Sequence, residues 1–166
     1  MVPVHEVLQG LDRLAIAMVL GALLGLNRTM RRKPAGPRTF ALVSMGAAMF
    51  TWLGTTMVSH DGDSAASLSR ITQGLVTGVG FLGAGLILRG QGRQVRGLTS
   101  AAALWFAASL GGAAGAGQWA VGVVGAVMGL GVLSALPVEQ RFTRRYVLRR
   151  RRQQGDGPDI GPPVEH

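Results

Sequence analysis

The chain has 166 residues, of which 48% are hydrophobic and 26 are glycine, and its formal net charge is +9. This length predicts a single domain. The absence of cysteine excludes disulfides, thiolate metal sites and cysteine nucleophiles. Charged residues fall in a few short blocks, which is typical of a membrane protein rather than of a soluble fold. The basic residues border apolar runs without an aromatic-rich basic groove, so we do not expect nucleic-acid binding.

Uncharged runs predict where the chain crosses a membrane. A helix rises about 1.5 Å per residue and needs roughly 20 residues to cross the hydrocarbon. The first span is the weakest, because it includes Asp12 and Arg13 near its outer boundary. The long uncharged run 97–138 gives two spans, with a turn at Gly111 to Gly117. We predict an all-α polytopic membrane bundle of about five transmembrane helices, at residues 7–27, 39–58, 70–88, 98–115 and 119–137.

The basic residues predict the orientation. All but two of the 17 lie in loop 28–38, in loop 89–96 or after residue 138, and these segments share one side of a five-helix topology. The positive-inside rule then places the N-terminus outside and the C-terminus in the cytoplasm. We divide the chain into a transmembrane domain at 1–138, a basic juxtamembrane segment at 139–152 and a disordered tail at 153–166. The basic segment either forms a short helix on an anionic leaflet or is itself disordered.

Small residues recur at four-residue spacing on four of the five predicted helices. Gly21 and Gly25 do so on the first helix and Gly125 and Gly129 on the fifth. Such spacing lets helix backbones approach closely in lipid. Whether these ridges face each other or a second copy in a homo-oligomer stays open. The predicted packing residues include Gly74, Gly78, Gly80, Gly83, Gly85, Gly111 and Gly115.

The predicted spans offer little for catalysis or for metal binding. Their middles carry no Asp, Glu, His, Lys or Arg, so we predict no enzyme, no catalytic residue and no cofactor. The only close acid pair, Asp61 and Asp63, lies in the external loop HDGDS. An Asp-Gly-Asp loop is more often a turn than a Mg²⁺ site, and we predict no metal site.

The inner boundary is the more informative region. Arg28, Arg38, Arg89 and Arg96 lie near the predicted starts of the second and fourth helices, which Thr39, and Thr99 with Ser100, are expected to cap. Helix N-termini with arginine form an anion site, for an anionic lipid, another anion or an acidic partner. The alternative is that these arginines only anchor the helices in lipid phosphate.

Four segments together resemble the N-terminal membrane domain of the MgtC/SapB family. They are GALLGLNR at 21–28, KPAGPRTFALVSMGAAMF at 33–50, SRITQGLVTGVGFLGAGLILR at 69–89 and VRGLTSAAALWFAASLGGAAGAG at 95–117. The similarity covers about residues 11–135 in the family's order. The positions that the resemblance implies are Arg28, Gly36, Arg38, Thr39, Arg70, Gly80, Gly83, Gly85, Arg96, Gly97, Thr99 and Trp105, of which Arg70 joins the binding candidates.

The resemblance implies a multi-pass protein of a bacterial inner membrane. It links the chain to growth in low Mg²⁺, to virulence and to restraint of the F-type ATP synthase. We therefore expect a non-enzymatic regulator of ion or energy homeostasis, acting through a membrane partner or anionic lipid. The alternative is a carrier or channel for Mg²⁺ or another ion, formed by an oligomer of the bundle. Asn27 stands where the family usually has Glu, and we expect no counterpart of the soluble C-terminal domain that some members carry.

Overall fold

A computed structural model describes residues 4–58, 64–89 and 95–135. These residues form five helices, which confirms the predicted all-helical class. The helices are α1 Val4–Met30, α2 Pro37–Val58, α3 Ser64–Gly85, α4 Leu98–Gly115 and α5 Trp119–Ala135. Extended backbone in the described residues is confined to an antiparallel pair, β1 Leu88–Arg89 and β2 Val95–Arg96.

The chain divides into two compact units, Met1–Gly131 and Val132–His166. All packing given below belongs to the first unit. Of the second unit, the structure describes residues 132–135, which are helical. The predicted juxtamembrane segment and disordered tail lie outside the described residues and stay predictions, as does the loop with Asp61 and Asp63.

The third helix differs from its predicted range of 70–88. It begins at Ser64 and ends at Gly85, after which the Leu86 amide donates to the Gly83 carbonyl at 3.0 Å. Leu88 then pairs with Arg96 across the short strands. The prediction of helix through residue 88 is wrong because an uncharged run does not distinguish helical from extended backbone.

The starts of α2 and α4 do not use threonine caps. Pro37 opens α2, where its fixed φ suits the first helical position and its missing N–H costs nothing. Gly97 is the N-cap of α4, with φ 92°, and no side chain caps that helix. Thr39 and Thr99 therefore lie inside the first turns, and the predicted capping is wrong because the preceding Pro and Gly already fix the entry of the chain.

The tightly packed centre consists of α1, α2 and α4. A Cβ added at Gly21 would lie 2.5 Å from the Phe40 carbonyl oxygen, so α1 and α2 meet backbone to backbone. Gly111 places α4 even closer to the Ser44 carbonyl of α2. One layer further along, Ala17, Ala48 and Ala114 form a buried cluster from the same three helices. The ridges of small residues on α1 and α4 thus form the core.

The other two helices pack differently. Gly125 of α5 lies against the Leu110 side chain of α4, and Gly129 lies against the Phe106 side chain of the same helix. On α3, by contrast, a Cβ added at Gly74 or Gly78 would have no atom within 4 Å. A Cβ added at Gly80 or Gly85 would also have no described atom within 4 Å, and a Cβ added at Gly83 would lie 3.7 Å from the Ala101 Cβ.

Candidate functional site

Arg28 is the one buried ionisable side chain in the described part of the chain. It is 2% exposed, at the end of α1, and its Nη2 donates to the Ser100 hydroxyl at 2.6 Å. Ser100 lies in the first turn of α4 and is itself buried. The bond therefore ties the end of α1 to the start of α4 and places a positive charge inside the bundle.

Among the described residues, no acidic side chain lies near Arg28 to compensate its charge. Its Nε has no hydrogen-bond acceptor among the described residues. The described acidic residues, Glu6 and Asp12, lie near the opposite end of α1. Removing a charged group from water is costly unless it is paired and fully hydrogen-bonded. Guanidinium binds carboxylate and phosphate well, so this end of the bundle favours negative ligands.

Ser44, deeper in the bundle, is the second residue after Arg28 with a buried side-chain polar atom that has no hydrogen-bond partner among the described residues. Ser44 is fully buried, and its hydroxyl has no partner among the described residues. It lies where α2 is closest to Gly21 and Gly111. A small side chain is required at this crossing, which gives Ser44 a packing role. Sequence reasoning missed Ser44, although its position between glycine-bearing helices was the available signal.

The end of α1 carries an unusual backbone conformation. The Arg32 amide donates to the Thr29 carbonyl at 2.9 Å and the Lys33 amide to the Arg28 carbonyl at 3.0 Å. These two bonds form a Schellman motif, in which glycine usually occupies the left-handed position. Here that position is Arg32, with φ 52°. A non-glycine residue in this region is strained, and such strain is concentrated at functional positions.

Asn27, where the resemblance implies a glutamate, takes part in this helix end. The Asn27 side-chain oxygen accepts a hydrogen bond from Arg31 Nε at 3.1 Å, one helical turn away. A glutamate at this position would offer the same acceptor with a negative charge. Asn27 therefore binds Arg31 without adding the negative charge that a glutamate would bring to this end of α1.

The loop after α1 and the first turn of α2 carry four basic side chains. We call the surface made by Arg31, Arg32, Lys33 and Arg38 the inner basic face, after the side of the membrane predicted for it. Arg32, Lys33 and Arg38 are exposed, and Arg31 is partly buried. Among the described residues, every charged side chain at this end of the bundle is basic.

The predicted binding residues do not converge on one point. Thr39 and Thr99 are exposed in their first helical turns, and Arg70 is exposed near the start of α3, at the other end of the bundle. Arg89 and Arg96 lie in the short strand pair, and their side chains are outside what the structure describes. Of the predicted set, Arg28 is the residue that the structure connects to another helix, through Ser100.

Two openings flank α3. A groove of about 590 Å³ runs between α2 and α3 and has an almost wholly apolar lining. A cavity of about 340 Å³ lies between α2, α3 and α4 and contains the Thr51, Thr72 and Ser109 hydroxyls. Each hydroxyl donates to a carbonyl of its own helix. In the described residues, no group of three His, Cys, Asp or Glu residues is placed to hold a metal ion.

Comparison with known proteins assigns the chain. The profile of the MgtC family matches residues 14–142. The chain belongs to the MgtC family. Protein SrpB of Synechococcus elongatus is 45% identical over 141 residues, which cover 78% of this chain and 76% of SrpB. Protein MgtC of Salmonella paratyphi A is 39% identical over 146 residues, which cover 82% of this chain.

The relatives differ from this chain in length. The match covers 60% of that Salmonella MgtC protein and 60% of an uncharacterized protein of Haemophilus influenzae that is 35% identical. No solved structure matches the chain.

Two described helices of this MgtC-family chain, Val4–Met30 and Leu98–Gly115, are long and apolar enough to cross a membrane. Trp119–Ala135 is apolar but shorter. Together with the family assignment, these helices indicate a membrane-associated protein.

Proposed function

We propose that this MgtC-family chain is a non-enzymatic regulator of ion or energy homeostasis in a bacterial inner membrane, active in adaptation to low Mg²⁺. It binds an acidic partner or anionic lipid through its inner basic face. The observation that carries this proposal is the charge at the inner end, where the described charged residues are all basic and Arg28 is buried.

The same charge disfavours the alternative of a Mg²⁺ path through one copy. A divalent cation needs oxygen ligands, and Mg²⁺ loses its water reluctantly. A fixed arginine inside the bundle opposes a passing cation, as positive groups do in pores that exclude cations. Gly21 and Gly111 also bring α1 and α4 onto the backbone of α2, which leaves no room for a hydrated ion between them.

The surface of the bundle supports a location in the membrane. Large apolar side chains are exposed on several helices, including Phe81 at 82% and Val127 at 66%. Exposed apolar surface of this extent marks contact with lipid or with another protein. We propose five spans with the N-terminus outside, which places the inner basic face beside the anionic cytoplasmic leaflet.

Reconstitution tests regulator against carrier. Purified protein in liposomes that contain a Mg²⁺-sensitive dye is given an inward Mg²⁺ gradient. We expect the same dye signal as in empty liposomes, both for the native chain and for Arg28→Gln. Mg²⁺ entry that requires the native protein would contradict the regulator and favour the carrier.

A charge-matched pair of variants tests the inner basic face. Arg32→Gln with Lys33→Gln removes two positive charges from this face, and Arg13→Gln with Arg70→Gln removes two from the other end. The F-type ATP synthase is the partner that the family resemblance offers. We expect the native chain and the outer variant to lower ATP-driven acidification of inverted membrane vesicles, and the inner variant to lose this effect. Equal loss in both variants would contradict a role for the inner basic face.

A further inference from the structure

The groove between α2 and α3 has the properties of a lipid site. We propose that it holds one acyl chain of an anionic phospholipid whose phosphate lies at the first turn of α2. The proposal rests on the proposed function only in placing the chain in a membrane. The groove measures about 590 Å³, and the residues that line it include Leu42, Gly46, Phe50, Gly74, Gly78 and Leu82.

Glycines keep this groove open. A Cβ added at Gly46, Gly74 or Gly78 would have no atom within 4 Å. Gly21 and Gly25 of α1 and Gly111 and Gly115 of α4, in contrast, meet the backbone of α2 directly. The groove is therefore a gap between two helices that the side chains of residues 4–58, 64–89 and 95–135 do not fill. In a bilayer, an apolar gap of this kind is available to a hydrocarbon chain.

The dimensions of the groove match one leaflet. Its lining extends from Leu42 to Phe50 along α2 and from Ile71 to Leu82 along α3. At about 1.5 Å per residue these stretches are about 12 and 17 Å long. The hydrocarbon core of a bilayer is about 30 Å thick, so one leaflet contributes about half of that. An acyl chain of one leaflet can therefore follow most of the length of the groove.

The end of the groove at the start of α2 carries positive charge. Arg38 and Thr39 are both exposed in the first turn of α2. Thr39 lies three residues before Leu42 and four before Val43, so it shares the helix face that lines the groove. The first amides of a helix have no intrahelical acceptor, and the helix dipole favours an anion there. A phosphate at this end would meet Arg38, the Thr39 hydroxyl and these amides.

Charge complementarity selects a lipid over a second copy of the chain. Two copies in one membrane, related by a two-fold axis, would place both Arg38 residues at the same depth and on the same interface. Like charges across an interface are unfavourable. An anionic phospholipid carries an acyl chain and a negative phosphate in one molecule. The acyl chain matches the apolar groove, and the phosphate matches Arg38 at its end.

Lipid-dependent stability tests the proposal. The thermal midpoint of the full chain in dodecyl maltoside is measured with dioleoyl phosphatidylglycerol, with dioleoyl phosphatidylcholine and with glycerol phosphate. A ligand that binds only the folded state raises this midpoint. We expect phosphatidylglycerol to raise it most, and glycerol phosphate, which has no acyl chain, to have no effect. Native mass spectrometry measures bound lipid and oligomeric state in the same samples.

Two variants and two matched controls locate the site. Gly78→Leu fills the groove and is expected to abolish the rise, while Gly80→Leu adds the same side chain in open space outside the groove lining. Arg38→Gln is expected to respond equally to the two phospholipids. Arg70→Gln, near the start of α3 and at the other end of the bundle, is expected to respond as the native chain does.

Three results would overturn the proposal. One is an undiminished response of Gly78→Leu to phosphatidylglycerol. Another is an equal response of the native chain to both phospholipids. The third is a change from dimer to monomer in Gly78→Leu, which would make the groove an interface between copies. None of these results alters the outcome of the Mg²⁺ flux measurement, so the two proposals fail separately.

Discussion

The ridges of small residues on α4 and α3 have the same spacing and opposite surroundings. On α4, Gly111 and Gly115 lie directly on the backbone carbonyls of Ser44 and Ala48. On α3, Gly74 and Gly78 face open space. The same small-xxx-small pattern therefore closes a helix interface in one case and leaves a groove in the other. The pattern permits close approach of another group but does not determine what approaches.

This difference distinguishes two groups of helices in the first unit, which we call the closed part and the open part. The closed part, α1, α2 and α4, contains the buried Arg28 and is held by contacts between backbones. The open part is α3, which has an opening on either side. The regulator proposal depends on the closed part, and the lipid proposal depends on the open part. Adding a single methyl group at individual glycines tests this division.

The largest effect is expected for Gly111→Ala. The added methyl would overlap the Ser44 carbonyl group, whose Cα would be 2.8 Å away. Backbone cannot move aside as a side chain can, so α4 must shift away from α2. Overpacking of this kind costs about 1–3 kcal/mol, and we expect a value near the upper limit. Chemical denaturation in detergent measures this loss of stability. A variant as stable as the native chain would show that α4 does not pack directly on the backbone of α2.

The next effect is expected for Gly97→Ala, at the junction between the two parts. Gly97 has φ 92°, and an added methyl would overlap the Leu86 carbonyl, just after α3. Left-handed backbone alone costs a residue with a Cβ about 1–2 kcal/mol. Leu86 lies in a turn rather than inside a helix, so its carbonyl can shift more readily than that of Ser44. We therefore expect a loss of about this size, measured as for Gly111→Ala. Unchanged stability would mean that the close contact between Gly97 and the Leu86 carbonyl does not hold the end of α3 in place.

The closed part was the more predictable from sequence. The range of α4 followed from an uncharged run and came out at 98–115 as predicted. The range of α1, Val4–Met30, extends three residues beyond the predicted 7–27 at each end. The burial of Arg28 was also available in the sequence, because it continues the stripe of Ala17, Gly21 and Leu24 on the core face of α1. Arg38, by contrast, is a similar boundary arginine and is exposed.

The open part was less predictable, for physical reasons. Gly74 and Gly78 match the pattern of the closed ridges, and only the positions of the neighbouring helices show that nothing covers them. The left-handed Arg32 was missed because Schellman motifs usually have glycine there. The end of α3 was misplaced because an apolar run carries no mark of the change from helix to strand.

A smaller loss is expected for Gly129→Ala, where the neighbour is a side chain. The added methyl would lie 3.0 Å from Phe106 Cδ1 and closer still to Cε1. An aromatic ring can rotate or shift, so the cost is expected to be about 1 kcal/mol, below that of Gly111→Ala. Denaturation under the same conditions gives the comparison. A loss as large as that of Gly111→Ala would mean that Phe106 is as fixed as backbone.

The smallest effect, and the only gain, is expected for Gly78→Ala. The added methyl meets no atom within 4 Å, so no steric cost opposes it. Alanine is favoured over glycine inside a helix because it loses less backbone freedom on folding, and compatible Gly→Ala changes stabilise proteins by about 0.4–1 kcal/mol. The gain is expected in detergent without added phospholipid, and it should shrink when phosphatidylglycerol is present, because the methyl takes space from the acyl chain. A loss of stability in lipid-free detergent would show that α3 packs closely against another chain. The open part would then be a protein interface, and the contrast between α3 and α4 would disappear.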